Sequence, residues 1–175
     1  GVEILHRCEF MGINAIENGL IRFNDVKIPA ENLIGGRGNG LKLALSTLND
    51  GRLSIPAISA VGAQEVLEFS KRWAKSRAQW GRTIGKHEPG ADKLSKIASS
   101  AYAMSALSDY CAELSGQGKD IRLEAASAKM WNTEVLWDTI DTALQLRGGR
   151  GYEKMSSLVE RGGNPFPFER ALRDS

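Results

Sequence analysis

The chain has 175 residues, of which 42% are hydrophobic and 25% are charged, a composition typical of a soluble globular protein. Its 23 basic and 21 acidic residues leave a formal net charge of +2, and this near-balance argues against nucleic-acid or membrane-surface binding. Cys8 and Cys111 have no metal-ligand neighbours, which predicts reduced, buried thiols in an intracellular protein without a metal site. No run reaches the ~20 apolar residues of a membrane span, and no signal peptide is visible.

Residues 1–35 mix β-forming and polar side chains in the pattern of strands and turns. Ile21 and Phe23 share one face of a strand that Pro29 should end, and Asn18-Gly19 predicts a tight turn before it. So short a segment makes no stable sheet by itself. We therefore expect the last strands of an incomplete β domain, in a piece of a longer protein.

A glycine-rich loop, IGGRGNG at residues 34–40, separates the strands from a helical part. Its spacing differs from that of a P-loop or a dinucleotide fingerprint, so a hinge is favoured over a phosphate site. After the loop, the helical period predicts a helix from Leu41 that kinks or restarts at Pro56. A second helix is predicted over about 91–115 and a third over about 121–146.

Each of the three predicted helices carries one apolar face. Leu41, Leu45 and Leu48 share a face of the first helix. The expected buried stripe of the second helix is Leu94, Ile97, Ala101, Met104, Cys111 and Leu114. In the third, the expected bundle seam is Met130, Trp137 and Leu144, spaced seven apart. We predict a mainly α fold: an antiparallel helical bundle over 36–175, ending before a fourth helix, with no helix visible after Tyr152.

The segment KSRAQWGRTIG has two interpretations. It can be a basic helix C-terminus, whose cations complement the helix dipole and which Gly81 caps. It can also be a binding segment in which Arg77 grips a pyrophosphate and Trp80 offers a flat face to a ring. Local rules favour the first interpretation, and the second stays open.

The segment LNDGRLS places the poor helix formers Asn49, Asp50 and Gly51 inside a helical pattern. One interpretation is a simple break between two helices. The other places Asn49 and Arg52 in a cleft, where they face a polar ligand. The residues alone leave both open.

The segment LQLRGGRGY ends the third helix. Gly148 by itself is explained as a helix stop. Three glycines in four positions, with Arg147 and Arg150 among them, exceed what a cap requires, and glycine lets a backbone N–H approach an anion or an aromatic edge. His6 and His87 have no spacing for metal binding or nucleophilic catalysis and are interpreted as surface histidines.

Five segments, in order across nearly the whole chain, resemble motifs of the acyl-CoA dehydrogenase family. They are FNDVKIPAENLIG, GNGLKLALSTLNDGR, RAQWGRTIG, LQLRGGRGYEK and ERALRDS. The resemblance implies the end of the middle β domain and most of the C-terminal helical domain of a three-domain flavoenzyme. It further implies a homodimer or homotetramer that shares FAD across a subunit boundary.

The resemblance implies cofactor and substrate contacts at matching positions. Arg77 and Trp80 match residues that reach the FAD of a neighbouring subunit, and Glu88 stands where the family often has a flavin-contacting glutamine. The further implied FAD contacts are Gln145, Leu146, Arg147, Gly148 and Gly149. The implied acyl-CoA contacts are Asn49, Asp50, Gly51 and Arg52.

The implied activity is α,β-dehydrogenation of an acyl-CoA thioester, in which a glutamate removes the α-proton and flavin N5 receives the hydride. Most of the family takes that glutamate from a loop beyond the last motif, so it is expected after Ser175. A minority carry it at the position of Gly51, where no base is possible. The stretch over 155–168 is longer than the corresponding link of the family and predicts an extra loop.

The resemblance also implies an electron-transfer flavoprotein or a similar electron acceptor as a partner. It places the protein in the cytoplasm of a bacterium or in the mitochondrial matrix of a eukaryote, and not outside the cell. Two alternatives stay open: a non-catalytic helical assembly or binding module of the same fold, and an acyl-CoA oxidase of the same fold.

Overall fold

A computed structural model describes residues 1–163 and 166–175. The side chain of Asp50 and residues 164 and 165 of the predicted extra loop lie outside the described part. The chain divides into two compact units, Gly1–Leu48 with Asp174 and Asn49–Arg173 with Ser175. The domain boundary that the sequence predicts after residue 35 stays a prediction.

The first unit contains an antiparallel strand pair, β1 at Val2–Cys8 and β2 at Asn18–Phe23, with an irregular register between Ile4 and His6. The predicted tight turn at Asn18-Gly19 is wrong, because both residues pair with β1 and residues 9–17 make the connection. Apolar side chains on both faces of this pair are exposed within the unit. The two strands therefore form no core of their own.

The helices and short strands follow in chain order. The longer elements are α1 at Gly40–Ser76, α2 at Glu88–Gly116 and α3 at Arg122–Arg147. The shorter ones are β3 at Ala78–Gln79, β4 at Arg82–Thr83, α4 at Met155–Glu160 and α5 at Phe168–Asp174. Single 3-10 turns occupy Ala30–Asn32, Ile84–Lys86 and Gly148–Arg150.

Helix α1 is continuous through the positions where the sequence predicts interruptions. It has no break at the LNDGRLS segment and does not restart at Pro56, which lies inside the helix. Pro56 is fully buried, and the side-chain amide of Asn132 donates to its carbonyl at 3.0 Å. Tertiary packing therefore outweighs the weak helix propensities. The face shared by Leu41, Leu45 and Leu48 is exposed.

The three long helices run up, down and up. Helices α1 and α3 are parallel, because Asn132 donates to Pro56 O in their middle parts and Trp73 Nε1 donates to Leu146 O at 3.3 Å near their ends. Helix α2 runs antiparallel to α3, since Asn132 also donates to Met104 O at 3.2 Å, while the earlier Ile97 shares a core cluster with residues near the end of α3. This arrangement confirms the predicted helical bundle.

The buried face of α3 differs from the predicted seam. Met130 is 62% exposed and Trp137 is 47% exposed. The buried positions are Ala125, Ala128, Asn132, Thr139, Ile140, Thr142, Ala143 and Arg147. Small side chains face inward and bring α3 close to its neighbours, so hydrophobicity alone indicates the wrong face. In α2 the predicted Ile97, Ala101, Met104 and Cys111 are buried, and Leu94 and Leu114 are partly so.

Two short helices, α4 and α5, follow Tyr152, where the sequence suggested none. Phe168 at the start of α5 is fully buried and completes a core cluster with Val66, Ile97, Ile140 and Ala143. A single aromatic anchor therefore fixes α5 against all three long helices. Across the described residues, no helix combines the length and apolar character that a bilayer crossing requires.

Candidate functional site

A tight hairpin follows α1. Strands β3 and β4 pair antiparallel, and Trp80 and Gly81 form the turn between them with φ of +48° and +78°. Positive φ at both positions is the geometry of a type I′ hairpin turn. Gly81 is therefore no helix cap, because α1 ends at Ser76 and Ile84 N donates to Arg77 O at 2.8 Å to close the hairpin. Trp80 is left 87% exposed.

A glycine turn follows α3. Gly148 adopts a φ of +63°, which favours glycine, and Gly151 N donates to Gly148 O at 2.8 Å. A Cβ on Gly151 would lie 2.6 Å from Leu144 O, so packing requires glycine there. A Cβ on Gly149 would meet no described atom within 4 Å. The fold therefore explains the first and third glycines and leaves the second without a structural reason.

The hairpin and the glycine turn line one pocket of about 840 Å³. It brings together Arg77, Trp80 and residues 145–149, which the sequence predicts as cofactor contacts. Its other described lining residues are Trp73, Gln79, Ile84, His87, Pro89, Gly90, Lys93, Arg150, Glu153 and Arg161. The ends of α1 and α3 and the start of α2 hold the pocket in place.

The pocket is strongly cationic. Its described basic side chains, from segments far apart in the chain, are Arg77, Lys93, Arg147, Arg150 and Arg161, and its described acidic side chain is Glu153. This excess of positive charge attracts an anion, and guanidinium groups bind phosphate oxygens in bidentate geometry. Such a wall is suited to a ligand that carries phosphate groups.

Arg147 is built into the base of the pocket. It is 6% exposed, and its guanidinium carbon lies 5.2 Å from the ring centre of Trp73 and 5.3 Å from that of Phe168. Burial lowers the pKa of its guanidinium below the ordinary value, and the charges of Arg150 and Arg161 act in the same direction. Arg147 therefore joins α3 to α1 and α5 by cation–π contacts and adds positive potential to the pocket.

The predicted extra loop contributes an ion pair to the pocket. Arg161 donates to Glu153 from Nε at 2.7 Å and from Nη2 at 2.5 Å, and Ser157 Oγ donates to the same carboxylate at 2.7 Å. The bonds from Arg161, followed by that from Ser157, lower the pKa of Glu153 to about 2. Leu158, which lies between Ser157 and Arg161 in the sequence, is fully buried and anchors α4. Sequence reasoning assigned this loop no function.

His87, interpreted from the sequence as a surface histidine, is half-buried and lines the pocket. Its Nδ1 accepts a hydrogen bond from Arg82 Nε at 3.1 Å, and its Nε2 lies 3.0 Å from Gln79 O. Its ring meets the Trp80 ring edge-on, with centroids 5.6 Å apart. No sequence motif indicates this role, because the contacts form only when the hairpin folds against α2.

Glu88 and the predicted substrate contacts do not line this pocket. Glu88 begins α2 between the lining residues His87 and Pro89 and is absent from the described lining. Arg52 Nη1 donates to Asn49 Oδ1 at 3.2 Å, and Asn49 lines a separate cavity of about 270 Å³ with residues of the α2–α3 turn. The roles predicted for these residues stay predictions.

The family profile described as "Acyl-CoA dehydrogenase, C-terminal domain" matches residues 38–175. The chain belongs to the acyl-CoA dehydrogenase family. It is 45% identical over 175 residues to the probable acyl-CoA dehydrogenase FadE10 of Mycobacterium tuberculosis, covering 99% of this chain and 27% of that protein. It is 32% identical over 165 residues to the mitochondrial very long-chain specific acyl-CoA dehydrogenase of Rattus norvegicus, covering 94% of this chain and 24% of that protein.

The fold is also similar to solved members of the family. The butyryl-CoA dehydrogenase of Megasphaera elsdenii superimposes with a TM-score of 0.85 at 30% identity, over 99% of this chain and 43% of that one. The chain spans about a quarter of the length of the FadE10 and rat proteins. The resemblance seen in the five sequence motifs is thus confirmed at the level of family and fold.

Proposed function

We propose that the complete gene product is an FAD-dependent acyl-CoA dehydrogenase and that this chain supplies one wall of its FAD site. The observation that carries the proposal is the single pocket joining Arg77, Trp80 and residues 148–150 of the glycine turn. These segments lie about 70 residues apart in sequence. They also carry two of the five motifs that resemble the family.

The charge and the exposed aromatic and backbone surfaces of the described pocket support FAD as its ligand. The diphosphate is an anion, and the lining has several cations against one carboxylate. The isoalloxazine and adenine rings are flat and aromatic, and Trp80 presents an exposed indole. The open space beside Gly149 leaves backbone accessible to a bound group. The exposed Trp80 indole and the open space beside Gly149 are not accounted for by packing among the described residues, and this ligand accounts for both.

In this proposal Arg77 and Trp80 hold the FAD of a neighbouring subunit in a homodimer or homotetramer. Residues 145–149 line the same cofactor, with Arg147 acting through its charge and through the position of Trp73. Glu88 is proposed to contact the cofactor from the start of α2. An intact site then requires a second copy of the protein.

When bound, FAD supplies the electron sink for removal of a hydride equivalent from the acyl β-carbon. Asn49, Asp50, Gly51 and Arg52 are proposed to line the acyl-CoA pocket, and the glutamate that removes the α-proton is proposed to lie beyond residue 175. An electron-transfer flavoprotein or a similar acceptor is proposed as the redox partner. The bacterial and mitochondrial relatives support a place in the bacterial cytoplasm or the mitochondrial matrix.

The test is Arg77→Ala in the complete gene product. Loss of a charged hydrogen bond to the diphosphate should weaken FAD binding by about 1.5–3 kcal/mol. Flavin absorbance per protein after gel filtration, together with an FAD titration of the apoprotein, measures the change. Lys75→Ala is the matched control, because Lys75 is an exposed cation in the last turn of α1 that does not line the pocket.

Unchanged flavin content in Arg77→Ala would refute the proposed FAD role of the pocket. The activity is tested separately, with acyl-CoA substrates and an artificial electron acceptor. Acceptor reduction supports the dehydrogenase, oxygen consumption supports an acyl-CoA oxidase, and neither reaction with flavin bound supports a non-catalytic module.

A further inference from the structure

Trp80 occupies a conformation that its own hairpin does not stabilise well. It takes a φ of +48° in a two-residue turn, where Asn, Asp and Gly are preferred, and its indole is 87% exposed. Strands β3 and β4 have only two residues each. A hairpin this short is marginal in isolation. Some other group must therefore hold Trp80 in this orientation.

His87 contacts both strands of that hairpin. Arg82 Nε on β4 donates to His87 Nδ1 at 3.1 Å, and the carbonyl of Gln79 on β3 lies 3.0 Å from His87 Nε2. Arginine only donates, so Nδ1 is the acceptor, and the hydrogen of the neutral ring is assigned to Nε2, which donates to Gln79. One side chain thus joins the residues on either side of the Trp80-Gly81 turn.

His87 is itself held rigidly at the start of α2. Its backbone N–H donates to Ile84 O at 3.2 Å, and its carbonyl accepts from Gly90 N at 3.0 Å and Ala91 N at 2.9 Å. A Cβ on Gly90 would lie 2.1 Å from Ile84 O, so the chain can pack this closely only with glycine. The imidazole therefore extends from a fixed backbone and meets the indole edge-on at 5.6 Å.

We infer that His87 is a positioning residue that fixes the hairpin so that Trp80 presents its ring to the dinucleotide. The inference rests on the proposed function. It adds His87, which is not among the cofactor contacts that the five motifs imply. His87 acts before FAD binds. It restricts Trp80 to one orientation, so that less side-chain conformational entropy is lost on binding. The predicted effect is on FAD affinity through Trp80 rather than on a contact between His87 and the reacting atoms.

The experiment is a double-mutant cycle in the complete gene product, with the FAD dissociation constant of the apoprotein as the readout. His87→Phe keeps an aromatic edge but removes both hydrogen bonds, and should weaken FAD about tenfold. His87→Gln retains a donor and an acceptor and should lie within about threefold of the native protein. In a Trp80→Ala background, His87→Phe should cause no further loss. His6→Phe, at the other histidine of the chain, is the control and should leave FAD affinity unchanged.

A second readout needs no bound cofactor. The ¹⁹F resonance of 5-fluorotryptophan at position 80, assigned by its loss in Trp80→Phe, should shift or broaden in apo His87→Phe and be restored in His87→Gln. The control is again His6→Phe.

Two affinity outcomes and one spectroscopic outcome would overturn the inference and leave the proposed function standing. One is an equal loss of affinity from His87→Phe with and without Trp80. The other is no loss from His87→Phe while Trp80→Ala and Arg77→Ala both weaken FAD. A Trp80 resonance that His87→Phe leaves unchanged would likewise overturn it. Should Arg77→Ala, Trp80→Ala and His87→Phe all leave FAD affinity unchanged, both the inference and the proposed function fail.

Discussion

The polar and charged side chains at the two ends of the helical bundle are paired to different extents. At the end near Asn49, the polar side chains satisfy one another: Arg52 donates to Asn49, and Arg122 pairs with Asp120 at 2.6 Å around a cavity of about 270 Å³. At the opposite end, where α1 and α3 finish, cations outnumber the one described carboxylate around about 840 Å³. The polar groups named at the first end pair with one another, and the second end has the charge of a site that an anion completes.

This difference helps to distinguish unusual residues that the fold requires from unusual residues that a ligand requires. Gly90 and Gly151 leave no room for a side chain, so the fold requires them. Gly149 and the exposed Trp80 have no such packing requirement among the described residues, and the pocket they line carries more cations than carboxylates. Residues that break local rules without a packing reason are the ones that a ligand or partner explains best. Mutations can test this division directly.

The largest expected effect lies between the two ends, at Asn132. Its fully buried amide donates to Pro56 O, Met104 O and Ser108 Oγ, which joins all three long helices. Asn132→Ala should lower the free energy of unfolding by about 2–4 kcal/mol, through lost hydrogen bonds and an internal cavity. Urea denaturation of the complete gene product measures it.

The neighbouring Thr133→Ala is the control, because Thr133 Oγ1 bonds only to carbonyls of its own helix, at Lys129 and Met130. It should change the free energy of unfolding by less than about 1 kcal/mol. Equal effects at 132 and 133 would mean that the hydrogen bonds of Asn132 between the three long helices do not stabilise the fold.

The glycine turn offers a sharper comparison between neighbours. Gly151→Ala should destabilise the fold by about 1–3 kcal/mol, because the new Cβ would lie 2.6 Å from Leu144 O. Gly149→Ala should leave the stability of the apoprotein nearly unchanged and reduce FAD retention, because its Cβ points into open space at the pocket. Thermal unfolding and flavin content after gel filtration measure both. Normal FAD retention in Gly149→Ala would argue against flavin approaching this backbone.

On the Asn49 side of the bundle, Gly51 within α1 tests whether space beside that helix is open. Gly51 is helical, and a Cβ there would meet no described atom within 4 Å. Gly51→Ala should therefore raise the free energy of unfolding by about 0.5–1 kcal/mol, by reducing the freedom of the unfolded chain. Chemical denaturation of the apoprotein reads this out. A loss of stability would reveal a packed neighbour outside the described residues.

The smallest expected effect concerns Glu153, the carboxylate in the cationic pocket. Its folded pKa of about 2 lies below its ordinary 4.5, because Arg161 and Ser157 donate hydrogen bonds to the charged form. The ionised form therefore stabilises the fold above about pH 4.5, and this contribution disappears as the pH falls through about 2. As the pH is lowered from about 4.5 to about 2, the thermal unfolding midpoint should decrease less in Glu153→Gln than in the native protein. Glu160→Gln, at the end of the nearby helix α4, is the control and should follow the native curve.

The sequence motifs alone indicated Arg77, Trp80 and residues 145–149 as candidate cofactor contacts. Arg77, Trp80 and the run from Gln145 to Gly149 stand out in the sequence because they lie in two of the motifs that resemble the acyl-CoA dehydrogenase family. The number of long helices also follows from the period of apolar residues, since that period depends only on local helix geometry. Family membership and fold confirm the resemblance and the helical bundle, and the cofactor roles of these residues stay predictions.

Other features depended on tertiary contacts. Met130 and Trp137 carry the hydrophobic period of α3, yet the buried face belongs to smaller residues and Asn132 because close helix approach selects volume and hydrogen bonding over hydrophobicity. Trp80 and Gly81 form a hairpin turn, and Gly81 is not the predicted helix cap, because Ile84 N donates to Arg77 O.

What the sequence determined by itself was therefore local: the helices, the glycine-bearing turn and the chemical types of the pocket residues. Tertiary structure decided which face of α3 is buried, how Phe168 anchors α5 and how His87 reaches both strands of the hairpin. The reason is physical, since periodicity and propensity act over a few neighbouring residues, whereas these contacts exist only once distant segments have packed together.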